Sequence, residues 1–223
     1  MRPVLAVALC LGVLAACESS GKISPTTLVW MDWPAEVNAN ESFRTRLVTW
    51  GVCASNPRFY SGVSANSEAV TFSPYYLVDE NVVYCAAARE SFLVVAIDTA
   101  GTAPGLSALV SRAYEMRGAV AGFLRENKTE DYYPVWMFGE VHVVPSGANS
   151  TRRNGAGTVS LQLDSLSCAR IYPTGLYDPS GGLVLDDQAD TAGVAYAFVR
   201  GYVYDSPVPV CGETRLFHLE SRN

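Results

Sequence analysis

Residues 91–99 read Ser-Phe-Leu-Val-Val-Ala-Ile-Asp-Thr, and this stretch decides the class of the fold. Its centre, Phe92–Ile97, is an unbroken apolar run in which half of the positions are β-branched. The run ends at Asp98, a turn former. A short apolar run that is rich in β-branched residues and bounded by turn formers is typical of a β-strand.

Similar runs recur through most of the chain, separated by Gly, Pro, Asn and Asp. They predict an all-β protein. The predicted strands are Thr27–Trp33, Ser42–Trp50, Ala69–Pro74, Asn81–Ala88, Ser91–Thr99, Glu115–Arg125, Val135–Val144, Gly157–Leu166, Ala169–Tyr172, Val194–Tyr204 and Thr214–Glu220. The longer connections are predicted at Ala54–Asn66, Pro145–Ala156 and Tyr177–Thr191.

The composition excludes some classes of protein. The 223 residues are 49% apolar and 17% charged, which is typical of a globular chain with a core. The formal charge of −6 argues against nucleic-acid binding, which requires a basic surface. The length fits one large domain or two small ones.

A segment rich in Gly, Pro and small residues, Thr99–Ser107, predicts a boundary between two domains, at 25–103 and 104–223. Apolar residues at helical spacing from Leu106 to Ala113 permit a short helix at the start of the second domain, although a strand fits as well. Glycines inside the later predicted strands indicate bulges or the tight coiling of a small barrel. These glycines are Gly118, Gly122, Gly139 and Gly201.

Two folded units are therefore expected, one after the other along the chain. Residues 34–43, Pro-Ala-Glu-Val-Asn-Ala-Asn-Glu-Ser-Phe, resemble the opening of bacterial immunoglobulin-like domains, and the resemblance extends over residues 24–99. It implies an N-terminal immunoglobulin-like sandwich. The second half is expected to be a small β-barrel, closed or partly open, or a second β-sandwich. A five-stranded barrel similar to the oligonucleotide/oligosaccharide-binding (OB) fold is one form it can take.

The N-terminus has the features of a secretory signal. Arg2 precedes an apolar run, Val4–Ala16, that is too short for a stable membrane span. Leu14-Ala15-Ala16-Cys17 resembles the lipobox of bacterial lipoproteins. The resemblance implies a signal peptide at 1–16, a lipid on Cys17 and a flexible tether at 17–24.

If the lipobox functions, the protein is anchored to the bacterial cell envelope through the lipid on Cys17. Glu18 is not the aspartate that such proteins often use for inner-membrane retention, which slightly favours the outer membrane. Two alternatives remain open. Ordinary cleavage near Ala16 would leave a plain secreted cysteine. A eukaryotic secretory origin would fit the glycosylation triplets at Asn40, Asn127 and Asn149.

Four cysteines remain once Cys10 leaves with the signal and Cys17 takes the lipid. They are Cys53, Cys85, Cys168 and Cys211. An even number in an oxidising compartment predicts disulfides. With one bridge in each predicted domain, the pairing is Cys53–Cys85 and Cys168–Cys211. Buried free thiols are the alternative.

The two histidines provide one candidate metal site. Glu140 and His142 share a face of one predicted strand, and His218 and Glu220 share a face of another. If these strands were neighbours, the four side chains could bind zinc or another divalent ion. The alternative is that all four are solvated polar positions. No cofactor is otherwise expected.

Three further features have both a functional and a structural interpretation. The acidic residues Asp186, Asp187 and Asp190 could bind calcium or form a solvated turn. Arg152 and Arg153 are expected at a solvated hairpin tip, although an acidic partner could use them. The four tryptophans could form a binding surface for a glycan or a protein, or belong to the core. They are Trp30, Trp33, Trp50 and Trp136.

No nucleophile, metalloprotease or phosphate-binding motif is found in the sequence. We therefore predict a membrane-anchored extracytoplasmic lipoprotein that acts as a binding or structural module of the envelope rather than as an enzyme. Its expected partners are the membrane and an envelope protein or glycan, and no nucleic acid. The alternative is a metal-dependent hydrolase or metal-binding protein that uses Glu140, His142, His218 and Glu220.

Overall fold

The computed structural model describes residues 22–25, 28–39, 41–49, 58–78, 91–98, 109–119, 135–145, 151–173, 182–189 and 197–223. These residues form strands and contain no helix, so the prediction of an all-β protein is confirmed. The strands are β1 Lys22–Pro25, β2 Leu28–Pro34, β3 Glu36–Asn38, β4 Ser42–Thr49, β5 Arg58–Ala65, β6 Ala69–Val78, β7 Ser91–Asp98, β8 Arg112–Ala119, β9 Val135–Val144, β10 Arg153–Leu163, β11 Ala169–Pro173, β12 Leu183–Leu185, β13 Ala197–Val210 and β14 Glu213–Arg222. Nowhere in this part of the chain is there a helix with the length and apolarity that a bilayer span requires.

Most predicted strands lie near their predicted positions, and β9 has the predicted bounds. Four predictions of irregular structure were wrong in whole or in part. The predicted loop at 54–66 contains β5, the predicted turn at 177–191 contains β12, residues 153–156 of the predicted connection at 145–156 belong to β10, and Lys22–Ser24 of the predicted tether belong to β1. Strands β1 and β12 pair with strands distant in sequence, β6 and β14, whereas β5 forms a hairpin with β6, the next strand along the chain. The predicted strand Asn81–Ala88 lies outside the described residues.

The predicted helix near residue 106 is also corrected. Residues 109–111 are irregular, and Arg112 and Ala113 already belong to β8, where they pair with Val143 and His142 of β9. The Val110 N–H donates a hydrogen bond of 2.9 Å to the Tyr114 hydroxyl. Sheet pairing therefore overrides a helical spacing that covered only two turns.

The six-stranded sheet runs in the order β1-β6-β8-β9-β3, with β5 also paired to β6. Most of its pairs are antiparallel, but β6–β8 and β3–β9 are parallel. The N–H of His142, in β9, donates to the carbonyl of Ala35, just before β3, at 3.0 Å. This sheet therefore joins strands from both predicted domains.

The eight-stranded sheet runs in the order β11-β12-β14-β13-β10-β2-β4-β7. One edge of the long strand β10 is shared: residues 153–157 pair with β2, and residues 159–163 pair with β11. Because β11 returns to β10 in this way, β10, β11, β12, β14 and β13 form a ring of pairings. We call these five strands the ring. The β12–β14 pair within it is parallel.

Two apolar cores result from this arrangement. The inter-sheet core lies between the two sheets and includes Trp33, Phe72, Met116 and Phe138. The ring core belongs to the eight-stranded sheet and includes Trp30, Ile171, Val199 and Phe217. Burial of such side chains is the main source of stability in a small β protein.

The ring core depends on two glycines that face each other in β10 and β13. Gly155 pairs with Gly201. A Cβ on Gly155 would lie 2.5 Å from the Trp30 ring, and a Cβ on Gly201 would lie 2.0 Å from the carbonyl oxygen of His218. The Trp30 and Phe217 rings, 5.8 Å apart, occupy this space. A register shift at Arg200/Gly201 confirms the predicted link between glycine and bulge there.

A disulfide and an ion-pair network hold one end of the ring together. Cys168, after the β10–β11 turn, is bonded to Cys211 at the tip of the β13–β14 hairpin, with their Cα atoms 6.1 Å apart. This confirms one predicted pair, whereas Cys53 and Cys85 lie outside the described residues. Arg170 contacts Asp164 at 2.8 Å and Glu213 at 3.5 Å, so charge links the same two loops.

Candidate functional site

A polar cleft of about 250 Å³ lies where β9 of the smaller sheet passes over β10, β13 and β14 of the ring. We call it the inter-sheet cleft. Buried Trp33 lies at its floor, against Gly139. The polar side chains that line it are Glu140, His142, Arg152, Asn154, Arg200 and Glu220.

Hydrogen bonds to one carbonyl hold the floor of the cleft. The Glu140 carbonyl oxygen accepts from Trp33 Nε1 at 2.8 Å and from Asn154 Nδ2 at 3.0 Å. Strands β2 and β10 are thereby both tied to β9. Apart from Arg152, which directly precedes β10, the polar side chains of the cleft lie on strands, which position a ligand more accurately than loops do.

One wall of the cleft is an arginine stacked on a tyrosine. The Arg152 guanidinium carbon lies 3.5 Å from the centre of the Tyr202 ring, and its Nη2 donates to Glu220 Oε1 at 2.9 Å. On the other wall, His142 Nε2 lies 3.8 Å from Glu140 Oε2, and both side chains are 57% exposed. Planar polar groups therefore face the cleft from two sides.

Arg200 has a different environment. Its Nη2 donates to the carbonyl oxygen of Met137 at 3.0 Å, and its guanidinium carbon lies 5.9 Å from the centre of the Phe198 ring. Its Nε is buried and has no hydrogen-bond partner among the described residues. The guanidinium lines the cleft.

A second cleft, of about 450 Å³, opens beside the β13–β14 hairpin. We call it the hairpin cleft. His218 Nδ1 lies 2.8 Å from Asp186 Oδ2, and the Tyr204 hydroxyl donates to the same oxygen at 3.1 Å. Burial, and then the contact with the Asp186 carboxylate, raises the pKa of the Tyr204 hydroxyl. The apolar wall is formed by Val208, Val210 and Leu216.

A row of aromatic side chains connects the two clefts across the outer face of the five-stranded ring. The Tyr202 ring centre lies 5.0 Å from that of His218 and 5.7 Å from that of Tyr204. The row exists because Val199, Gly201 and Val203 of β13 are buried while the alternate residues point outward. We call Arg152, Tyr202, His218 and Tyr204 the aromatic row.

The four predicted metal ligands are divided between the two clefts. Glu140, His142 and Glu220 line the inter-sheet cleft, whereas His218 lines the hairpin cleft. Glu220 contacts Arg152 and His218 contacts Asp186. Within the described residues there is no group of three or more His, Cys, Asp or Glu side chains that could hold a metal ion. Glu220 and His218 both belong to β14, but only Glu220 lies at the end of the strand that reaches the inter-sheet cleft, and His218 lies farther along β14 beside Asp186.

The acidic residues predicted as a calcium site have other contacts. Asp186 contacts His218 and Tyr204, and Asp187 Oδ1 accepts from the Ala189 N–H at 2.9 Å. Asp190 lies outside the described residues. The predicted solvated hairpin tip is corrected as well: Arg153 begins β10 and contacts Asp32 at 2.8 Å.

The two tryptophans whose burial is described do not form the predicted binding surface. Trp30 and Trp33 are each 1% exposed and belong to the two cores. Trp50 and the side chain of Trp136 lie outside the described residues, as does Cys17. Sequence reasoning missed Arg200 and the two tyrosines of the aromatic row. The signal was present in 198–204, Phe-Val-Arg-Gly-Tyr-Val-Tyr, where bulky and small residues alternate.

Comparison with known proteins adds no family: no family model, no curated protein and no solved structure matches this chain.

Proposed function

We propose that the protein is a lipid-anchored, extracytoplasmic binding module of a bacterial envelope and that it holds a glycan in the inter-sheet cleft. The proposed location is based on Arg2, the apolar run Val4–Ala16 and the lipobox-like residues that end at Cys17. The Cys168–Cys211 disulfide supports an oxidising compartment.

The cleft itself is the observation on which the proposed binding role depends. Sugars present hydroxyl groups around an apolar ring face, so their sites combine polar groups in fixed positions with an aromatic side chain. The inter-sheet cleft offers the Asn154 amide, guanidinium groups and carboxylates, and Tyr202 lies beside it under Arg152. Polar side chains on rigid strands favour a hydrogen-bonded ligand over an apolar one.

The order of strands in the ring supports the same class of ligand. If the five ring strands β10–β14 are numbered 1 to 5 in chain order, they pair in the order 1-2-3-5-4 and back to 1. Strands 3 and 5, which are β12 and β14, are parallel. This order resembles that of the OB fold, whose members bind oligonucleotides or oligosaccharides. Because the chain carries a formal charge of −6, we favour the oligosaccharide.

For residues 24–99 we retain the immunoglobulin-like sandwich as a proposal. Its support is that β2, β4 and β7 lie in one sheet and β1, β3, β5 and β6 in the other. In this proposal the sandwich supports the ring and supplies the floor of the cleft through Trp33.

The lipid anchor is tested by expressing the full-length gene in a bacterium with a lipoprotein-processing pathway. We expect mass spectrometry to find acyl chains on Cys17 and no residues before it. Cys17→Ala should abolish the acylation, whereas Cys10→Ala, within the signal, should leave it intact. An unmodified thiol at Cys17 of the wild-type protein would contradict the anchor.

Glycan binding is tested with the full-length chain purified in detergent and a panel of envelope oligosaccharides. We expect Arg152→Ala, which removes a side chain that lines the cleft, to weaken binding about tenfold or more. Tyr202→Ala removes the ring on which the Arg152 guanidinium lies and should weaken binding to a smaller extent. Arg112→Ala is the matched control, because Arg112 also stacks on a tyrosine, Tyr114 at 4.8 Å, but does not line the cleft.

Two results would overturn the glycan proposal. One is that no oligosaccharide binds. The other is that binding occurs and the Tyr202 and Arg152 variants behave like the Arg112 control. If a cross-linker placed at the cleft captured an envelope protein in cells while all sugars failed, a protein partner would replace the glycan.

A further inference from the structure

Arg200 differs from the other half-buried arginines in the described part of the chain. Five of these six have a carboxylate within 4 Å, and the five pairs are Arg46–Asp32, Arg117–Glu115, Arg152–Glu220, Arg153–Asp32 and Arg170–Asp164. Arg200 is the sixth, and no carboxylate of the described residues lies within that distance of it.

The contacts that Arg200 does make leave its charge uncompensated. One nitrogen donates to the Met137 carbonyl oxygen at 3.0 Å, while the buried Nε donates to no described residue. The side chain is half-buried and its hydrogen bond to Met137 is exposed, so the guanidinium is only partly removed from water and an anion in the cleft can reach it. A buried donor without a partner in a native protein calls for a specific explanation, and a missing ligand is one.

The other charges around the inter-sheet cleft are already matched. Arg152 contacts Glu220 at 2.9 Å, and His142 lies 3.8 Å from Glu140. Arg200 is thus the arginine of the cleft that lacks an acidic neighbour within the described residues. A ligand that carried a carboxylate would supply it, and a guanidinium binds carboxylate through short, charge-assisted hydrogen bonds.

From these observations we infer that the glycan of the inter-sheet cleft is acidic and that Arg200 binds its carboxylate. The inference rests on the proposed function, since it names the chemical class of the ligand at the same cleft. Asn154 and His142 line the same cleft and offer further hydrogen-bonding groups to the sugar hydroxyls. The Arg152–Glu220 pair, already neutral, forms the side of the cleft that faces uncharged parts of the ligand.

The test compares acidic sugars with their neutral forms. The probes are oligomers of glucuronate and galacturonate and N-acetylmuramic acid, each paired with its methyl ester, and the binding partner is the full-length chain in detergent. We expect the wild-type protein to bind at least one acid about tenfold or more tighter than its ester. Arg200→Gln should remove that preference by weakening the acid and leaving the ester unchanged.

Two further variants keep the result interpretable. Arg200→Lys retains the charge and should keep part of the preference. Arg112→Gln removes an arginine outside the cleft and should keep all of it. A thermal melt of each variant shows that it is folded. If Arg200→Gln does not fold, the Arg200→Lys ratio decides, because a point charge without the planar fork should bind the acid less selectively than arginine does.

The outcomes separate the two proposals. If acid and ester bind equally, or if Arg200→Gln keeps the preference, the assignment to Arg200 is wrong while glycan binding stands. If no acid and no ester binds but neutral oligosaccharides do, the acidic class is wrong. If no sugar of any kind binds, the proposed function fails and this inference fails with it.

Discussion

The two cores of the molecule lie on opposite faces of the same strand, β2, and they are stabilised differently. Met31 and Trp33 enter the inter-sheet core, whereas Val29 and Trp30 enter the ring core. Alternation along β2 points Trp30 and Met31 to opposite faces. The register shift between Leu28 and Trp30 makes the adjacent residues Val29 and Trp30 share the face of the ring core.

The ring combines long and short strands and has the additional cross-links. Strands β10, β13 and β14 have 11, 14 and 10 residues, whereas β12 has three and β11 has five. The disulfide and the Asp164–Arg170–Glu213 contacts lie at the end of the ring where β11 begins. Because the short strands bury little apolar area, covalent and ionic contacts contribute to the stability of this end of the ring.

The largest effect is expected where the two cores meet. Gly157 has a φ of +147° and pairs with Trp30 of β2, and a Cβ there would lie 2.1 Å from the Val29 carbonyl oxygen. Because the neighbour is backbone, β2 itself would have to move. We expect Gly157→Ala to lower the free energy of unfolding by about 4 kcal/mol or more, measured by urea denaturation of the full-length chain.

Gly212→Ala is the matched control for that experiment. Gly212 also has a positive φ, +78°, but a Cβ there would meet nothing within 4 Å. We expect only the backbone cost, about 1 kcal/mol. Equal losses for the two variants would contradict the view that β2 and β10 are in close contact at the junction of the cores.

The second effect tests whether the ring depends on its disulfide. The bridge closes a loop with a sequence separation of 43 residues, for which chain entropy predicts a contribution of about 4 kcal/mol as an upper figure. We expect the double variant Cys168→Ser, Cys211→Ser to lose hydrogen-exchange protection in β11–β14 first. Protection in β6, β8 and β9 should fall less.

Reductant provides the control for the disulfide experiment. It should reduce ring protection in the wild-type protein and have no such effect on the double variant. If exchange rose equally in both cores, the two would unfold as one unit, and the difference in their stabilisation would have no consequence for local opening.

The class of the fold could be predicted from the sequence because strand formation is largely local. Runs such as Val135–Val144 carry their own pattern, and that strand was predicted with its observed bounds. The pairing of strands is not local. Arg153 contacts Asp32 across 121 residues of sequence, and β3 and β12 form only because distant strands accept them. Nothing in a segment of three residues specifies its partner.

The candidate site shows the same contrast between local patterns, which can be predicted, and contacts between distant segments, which cannot. Alternation in residues 198–204 could have placed Arg200 and Tyr202 on one face, since that pattern is local. The contacts of Arg152 with Tyr202 and Glu220 could not have been predicted, because they join three segments. The predicted set of Glu140, His142, His218 and Glu220 failed to form one group for the same reason: it assumed which strands are neighbours.

The smallest effect concerns the ionic part of the ring's stabilisation. Asp164 accepts from the N–H groups of Cys168 at 2.9 Å and Leu166 at 2.8 Å and from Arg170 Nε at 2.8 Å. These hydrogen bonds hold the pKa of the Asp164 carboxyl below its ordinary value. The bond from the Cys168 N–H is the largest cause, and the bond from Arg170 is the next. A carboxyl whose pKa is lower in the folded state stabilises the fold at neutral pH, and this stability is lost as the pH falls through the folded-state pKa.

We therefore expect Asp164→Asn to be less stable than the wild-type protein at neutral pH, with the two stabilities converging in acid. Urea denaturation across a series from about pH 7 to about pH 3 measures this. Asp205→Asn, an exposed carboxyl on β13, should leave the difference between neutral and acid unchanged. The loss should also be confined to the ring, because the side-chain contacts of Asp164 with described residues lie in the loop that carries Cys168 and at the start of β11. Parallel curves for wild type and Asp164→Asn at all pH values would mean that the Asp164 charge does not stabilise this end of the ring, leaving the disulfide as its main constraint.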